Sequence, residues 1–432
     1  MSQQLLALVI FTATYVLIVL ERPHRTLAAL LGAGAMILTG VIDQSRAQAA
    51  VDWNVIALLA GMMILVHTLE RTGAFEWLAV ALARRTRGQP MVLMLAFFAL
   101  TAVASALLDN VTTVLLICPL TFILADRLGI DPMPWVLGEV VASNIGGAAT
   151  LIGDPPNIMI GSAVGLDFLA FVKHLTPAAL LTGIVVAAGM AFFYRSALRP
   201  TEATARAAEG LFLPAPKTDR RTLAICLGVI ALVVLGFFLQ GALRLQAGTI
   251  ALGGATILML LTKADLQETM REVQWPTLLF FVGLFVVVGG VQEAGLLDGM
   301  GRWLVGVSGG NLLVTAIALL WGAALISAVV DNIPATAALI PALKAMAHTL
   351  YPEAARPWAQ PEILALWWAL ALGACLGGNA TLVGASANVT AAGIAERFGR
   401  RISFVQFLRI GLPATLVSLA LCTIYLYLRY LR

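Results

Sequence analysis

Stretches of about 18 or more residues with little or no charge, the length that crosses the hydrocarbon core of a bilayer, recur along this chain. Apolar runs fall at about 4–20, 26–42, 54–69, 90–108, 111–125, 135–169, 175–194, 222–240, 246–262, 275–291, 311–330, 333–349, 361–395 and 404–428. Of 432 residues only 12% are charged and 60% are hydrophobic, against about 25% charged in an ordinary soluble domain. So few ionic side chains do not clothe a water-facing surface of this size. The composition excludes a soluble enzyme, a nucleic-acid binder and a disordered chain, and it points to an all-α polytopic membrane protein. The first run lacks a basic flank and a small-residue cleavage site, and reads as a retained helix rather than a signal peptide. Cys226 and Cys422, like Cys118 and Cys375, lie inside apolar runs without metal-ligand spacing. Buried thiols are expected, with no disulfide framework and no structural metal.

An internal repeat narrows the fold further. Val51-Asp52-Trp53 returns as Val273-Gln274-Trp275, Gly61 as Gly283, Gly73 as Gly295, Asp109-Asn110 as Asp331-Asn332 and Pro119 as Pro341, all at an offset of 222. Gly146-Gly147, Thr150 and Gly153 return as Gly377-Gly378, Thr381 and Gly384, and Asn157 as Asn388, at an offset of 231. The extra residues fall in the loop around 351–361. The chain therefore reads as a first repeat over 1–195, a polar cytoplasmic linker over 196–221 and a second repeat over 222–432.

Within each repeat two runs are separated only by Asp-Asn, too little for a connection at the membrane surface. They are expected to form re-entrant hairpins over 90–125 and 311–349, buried in protein at their tips. The runs 135–169 and 361–395 are too long for one simple span and are interrupted by Gly and Asn, joined by Pro in the first, so each is expected to be a broken helix. Five crossings per half invert the second half relative to the first. With both termini outside, the cytoplasmic segments carry eighteen Lys and Arg and the outer ones eight, Arg302 among them, with Arg409 inside the last helix. The positive-inside rule favours that orientation.

Inverted repeats with interrupted helices form a transporter architecture, with the substrate near the midplane where the breaks meet. Opening a helix inside a membrane exposes backbone groups that need partners, and Asn, Thr and Gly stand at every break. The candidate substrate and ion-binding residues are Asp109, Asn110, Thr112, Thr150, Asp154, Asn157, Asp331, Asn332, Thr381 and Asn388. Asn144, Asn379, Cys118, Cys375, Glu139 and His67 form a second rank. Asp109 and Asp331 read either as caps of the helix that follows or as sites for a coupling ion, since intramembrane carboxylates carry ions or protons by default. Asp154 has Ala385 as its counterpart. It is either a cap before Pro155-Pro156 or a single proton or cation site. Glu139 and His67 read either as satisfied core groups or as relays. The expected core holds three carboxylates and no Lys or Arg, which favours a small cation or a neutral hydroxylated solute over a multiply charged anion. Interfacial anchoring accounts for Trp53, Trp77, Trp135, Trp275 and Trp358 without a cofactor.

The run Leu108-Asp109-Asn110-Val111-Thr112-Thr113 and the run from Asn144 to Asn157 through Gly153-Asp154-Pro155-Pro156 resemble the ion-transporter superfamily. The resemblance is to the branch holding arsenite permeases, sodium/proton antiporters and P-protein-type transporters. It implies a scaffold domain and a moving transport domain working as an elevator in a bacterial inner membrane, and it carries the ten leading residues above onto the substrate site. The dicarboxylate branch reads Ser-Asn-Thr at both hairpin tips, where this chain has Asp before Asn. Many arsenite permeases have the reverse order, Asn before Asp, at the first tip.

The leading expectation is proton-coupled efflux of arsenite or antimonite, without an enzymatic step or a bound cofactor and with a proton, or sodium, as coupling ion. The alternatives are a sodium/proton antiporter, an anion pathway of the P-protein kind, and an intramembrane aspartyl protease, whose first motif glycine is missing before Gly153-Asp154. Expected partners are a small inorganic solute, membrane lipid, a soluble ATPase or metallochaperone, and a second copy of the chain; no nucleic acid is expected.

Overall fold

In the computed structural model residues 2–20, 22–202, 204, 219–296, 305–306 and 309–431 are described. Most of the expected linker at 196–221, and Arg302, lie outside them. The described secondary structure is helical throughout, without strands. Among the described residues ten helices are long and apolar enough to cross a membrane, and large apolar side chains such as Leu31, Ile184, Leu260 and Leu325 stand more than 60% exposed. A lipid-facing surface accounts for both, and the chain is an integral membrane protein.

Those ten are distributed differently from the spans counted in the sequence. Three of the four hairpin arms qualify, Pro90–Leu107, Asn110–Leu128 and Leu312–Val329, while Asn332–Leu350 is as long but not among the ten. An arm of 18 or 19 residues rises about 27 Å, so the tips reach deep, whereas the sequence reading had set the arms apart from the crossing helices. Arg25–Leu38 and Ala247–Thr262 are shorter, at 14 and 16 residues. The first broken helix runs Met133–Gly147, opens over 148–154, resumes at Pro155–Val164 and bends by 117° into Phe168–His174. The second runs Pro361–Gly377, opens over 378–385 through a 3-10 turn, and resumes at Ser386–Arg397.

The helices pack as two bundles. In one, Arg25–Leu38 lies along Trp275–Glu293 and Ala247–Thr262 along Trp53–Glu70, flanked by Gln3–Leu20 and Arg220–Phe238. Each repeat therefore packs its third helix against the second helix of the other. Glycine permits both crossings: a Cβ on Gly61 would stand 2.6 Å from the Ala251 carbonyl carbon, and one on Gly283 2.7 Å from that of Ala29.

In the second bundle each hairpin packs its first arm on its own broken helix, with Thr176–Phe193 and Phe404–Leu426 alongside. The Pro361–Ala380 segment is 94% buried and forms its axis. The bundles meet where Trp275–Glu293 touches hairpin 2 and Trp53–Glu70 touches Pro155–Val164. A cavity of about 450 Å³ lies on this boundary, lined by Asp52, Gln292, Met159, Ala337, Lys344 and Trp358.

Candidate transport site

The two breaks are held open by one set of hydrogen bonds used twice. Asn157 donates its side-chain amide to the Gly147, Ala148 and Thr150 carbonyls at 3.3, 3.3 and 2.8 Å. Asn388 donates to those of Gly378 and Thr381 at 2.7 and 2.8 Å. Thr150 and Thr381 each donate to a carbonyl of the adjacent hairpin, Ala106 and Ala328, at 2.5 Å. Ser105 and Ser327 return a bond from hairpin to broken helix, reaching the Ser143 and Ala374 carbonyls at 2.6 and 2.7 Å. These serines also keep the offset of 222, the signal that the sequence reading passed over. Opening a helix frees carbonyls that cost free energy if buried bare. Three side-chain types, Asn, Thr and Ser, placed at matching positions in both halves, satisfy carbonyls at the breaks and the hairpin tips.

A second set of bonds joins the halves and is not duplicated in kind. Asn144, fully buried, accepts from Asn110 at the first hairpin tip at 3.1 Å and donates to Asn379 at 2.9 Å and Asn388 at 3.0 Å. Asn379 reaches back to the Val141 carbonyl at 3.3 Å. At the other tip, Asn332 donates to both Asp154 oxygens at 3.0 and 3.1 Å. Asp154 is fully buried and is absent from the ion pairs of the described residues. Cys375, the counterpart of Asn144, donates to the Asn157 carbonyl oxygen at 3.6 Å and also faces Asp154. The first hairpin tip thus meets the second break through Asn144, and the second tip meets the first break at the buried Asp154 carboxyl group, so both tips and both breaks contribute to this amide network.

The hairpin aspartates lie at the edge of this network. Asp109 caps its helix, accepting from the Thr112 amide at 2.9 Å and from the Thr112 hydroxyl. Asp331 accepts weakly from the Ile333 amide at 3.4 Å and strongly from two groups absent from the sequence reading. Arg25 Nη1 stands 2.6 Å from it and 2.7 Å from Ser386 Oγ, and Ser386 donates to Asp331 as well. The expectation of a core without Lys or Arg is corrected here. Arg25 is the first residue of a helix that begins beside the second hairpin tip. Its side chain and that of Asp331 are only 22% and 14% exposed, so the pair is largely shielded from solvent. A cavity of about 240 Å³ opens over the triad, lined also by His24, Val383, Val389 and Thr390.

Glu139 and Cys118 lie on the same helices but outside the amide network, where Glu139 accepts from both Cys118 and Thr121. His67 is placed elsewhere, 3.6 Å from Glu70 in the last turn of Trp53–Glu70. All four cysteines are buried and free, and among the described residues no group of His, Cys, Asp or Glu has the arrangement of a metal site.

Paired hairpins meeting paired broken helices inside an all-helical membrane protein define a secondary transporter. The model of the citrate transporter family (CitMHS) matches residues 15–373, and the chain belongs to that family. It is 42% identical to an uncharacterised transporter of Mycobacterium tuberculosis, with 98% of each chain covered. To an uncharacterised transporter of Synechocystis it is 34% identical, over 98% of this chain and 96% of the other. The P protein of Homo sapiens is 35% identical over 98% of this chain, which spans 59% of that protein. In fold the chain is similar to the YdaH transporter of Alcanivorax borkumensis, with a TM-score of 0.55 at 14% identity, covering 86% of this chain and 84% of the other.

Proposed function

We propose that this chain is a proton-coupled secondary active transporter that exports a small uncharged hydroxylated solute, arsenite or antimonite in hydroxide form, across a bacterial inner membrane. One observation carries the reading: Asp154, a carboxyl group of one half, is held by the hairpin amide of Asn332 from the other. A bare carboxylate in a low-dielectric interior is costly, which suits Asp154 to carrying a proton. The amides of Asn110, Asn144, Asn157, Asn332, Asn379 and Asn388 donate and accept, which suits a solute offering hydroxyls rather than charge. Asp109, Thr112, Thr150, Asp331 and Thr381 complete the lining on this reading. One proton crossing 100 mV supplies about 2.3 kcal/mol, enough for a roughly fiftyfold gradient of a neutral solute.

Movement of the hairpin bundle as a body past the other bundle is the accompanying mechanism, supported by the cavity on their boundary. A soluble ATPase or metallochaperone and a second copy of the chain are partners this reading admits. A second reading, carriage of a carboxylate anion, is favoured by Arg25, whose guanidinium provides bidentate donors for a carboxylate, and by the name of the family.

The test is flux into proteoliposomes of purified full-length protein, with arsenite, antimonite, sodium and citrate side by side. The proposal expects arsenite or antimonite flux driven by a pH gradient and reduced to background in Asp154→Asn. Sodium-driven proton release without an arsenite response would select sodium/proton exchange instead. Citrate flux lost in Arg25→Ala would select the carboxylate reading.

A further inference from the structure

Glu139 is a fully buried carboxyl group that the amide network does not use. It sits on Met133–Gly147 five residues before Asn144, about 7.5 Å along the helix axis. Its partners come from the second arm of hairpin 1: Cys118 donates at 3.3 Å and Thr121 donates through its hydroxyl. The repeat tests whether packing alone demands such a group. The positions corresponding to Glu139, Cys118 and Thr121 in the second half are Leu370, Ile340 and Leu343, which fill the equivalent site with apolar side chains. A polar trio is therefore dispensable to the architecture, yet one half carries it.

We infer that Glu139, with Thr121 and Cys118, is a second proton-carrying site in the hairpin bundle, set between the amide network and a cleft at the base of hairpin 1. That cleft, of about 630 Å³, is lined by Phe122, the neighbour of Thr121, together with Asp126, Arg127, Asp131 and Arg400. The donor set selects the ligand. A hard cation such as sodium calls for oxygens, whereas one of the partners here is a thiol and the other a single hydroxyl. Of the elements packed against Met133–Gly147, Pro90–Leu107 and Thr176–Phe193 hold no titratable group. Asn110–Leu128 brings Cys118, with Asp126 and Arg127 at its far end; Pro361–Gly377 brings Glu362 and Cys375; Ser386–Arg397 brings Glu396 and Arg397; Phe404–Leu426 brings Arg409, Cys422 and Tyr425. None of these forms an ion pair with Glu139. A buried carboxyl group without a cation is stabilised by a proton, and exchange of that proton is what the site provides. The inference deepens the proton-coupled reading above.

Infrared difference spectra of the purified full-length protein in lipid, taken between acid and alkaline buffer, test it without any solute. The wild type is expected to lose a protonated-carboxyl stretching band on alkalinisation. That band should be absent in Glu139→Gln and in Glu139→Leu, which copies the second half, and should persist in Asp154→Asn. Thr121→Val keeps the carboxyl and removes a donor, so the band should shift while the protein stays folded. The inference is overturned if the band survives in Glu139→Gln, if it is unmoved by Thr121→Val, or if it is the same in both buffers. Loss of the titrating band in Asp154→Asn alone would leave the proton-coupled reading standing and remove this one. A band assigned to Glu139 together with wild-type flux in Asp154→Asn would do the reverse.

Discussion

The two halves of the molecule share a skeleton and differ in chemistry. Asn157 and Asn388, Thr150 and Thr381, and Ser105 and Ser327 make matching bonds to matching backbone groups. Those residues are what any helix opened inside a membrane needs. Among the residues without a like partner are Asp154 against Ala385, Glu139 against Leu370, Asn144 against Cys375 and Arg25 against Ala247. Three of these four sit in the first broken helix. A duplicated fold thus acts as its own control: what recurs is needed by the architecture whatever else it lines, and what differs is spared that duty and open to chemistry of its own.

That division is open to measurement of stability in detergent, and the matched pairs should behave alike. The largest effect belongs to the close crossings. A Cβ on Gly146 would lie 2.1 Å from the Ala102 carbonyl oxygen, and one on Gly377 2.4 Å from the Ala324 Cα. Gly146→Val and Gly377→Val should each cost about 3 kcal/mol, with the hairpin pushed off its broken helix. A large loss in one and none in the other would break the comparison. Next come Asn157→Ala and Asn388→Ala, each leaving buried carbonyls bare, at about 2 kcal/mol and a lowered melting temperature in both.

Arg25→Ala belongs to the unmatched set and should cost about 1 kcal/mol, discounted from a fully buried pair because both side chains retain some exposure. Its double-mutant cycle with Asp331→Asn should show coupling, and simple additivity would mean that the pair contributes nothing. The smallest effect is expected far from both sets, at Asp43, which caps Gln44–Ala50. There the Ser45 hydroxyl, and then the Arg46 amide, hold the carboxyl below the usual carboxylate range. A lowered native pKa stabilises the fold above the usual range, and the contribution disappears as the pH falls through the lowered value. Asp43→Asn should therefore narrow the gap in melting temperature between neutral and acid buffer.

The spacing of Asp109-Asn110 from Asp331-Asn332, and of Thr150 and Asn157 from Thr381 and Asn388, made the hairpins, breaks and repeat visible in the sequence. They were legible because a helix break in lipid has few chemical solutions, and this chain writes them twice. Arg25 was not legible. Its offset partner is Ala247, so the repeat carried no signal, and only the fold shows that a helix begins beside the second hairpin tip. Ser386 was missed for the same reason, standing opposite Pro155. The second hairpin arms, Asn110–Leu128 and Asn332–Leu350, continue through Pro119 and Pro341, as the uninterrupted apolar runs at 111–125 and 333–349 indicate. Glu139 was visible as a charge in an apolar run. That no cation pairs with it among the described residues emerged only when the neighbouring helices were in place.

The most direct test follows protons. Proteoliposomes loaded with a pH-sensitive dye and given an inward gradient of the transported solute should show a proton signal in the wild type. In Asp154→Asn that signal should be lost while the protein keeps its melting temperature. A full proton signal in folded Asp154→Asn would contradict the assignment of the unmatched carboxyl, and with it the separation of skeleton from chemistry.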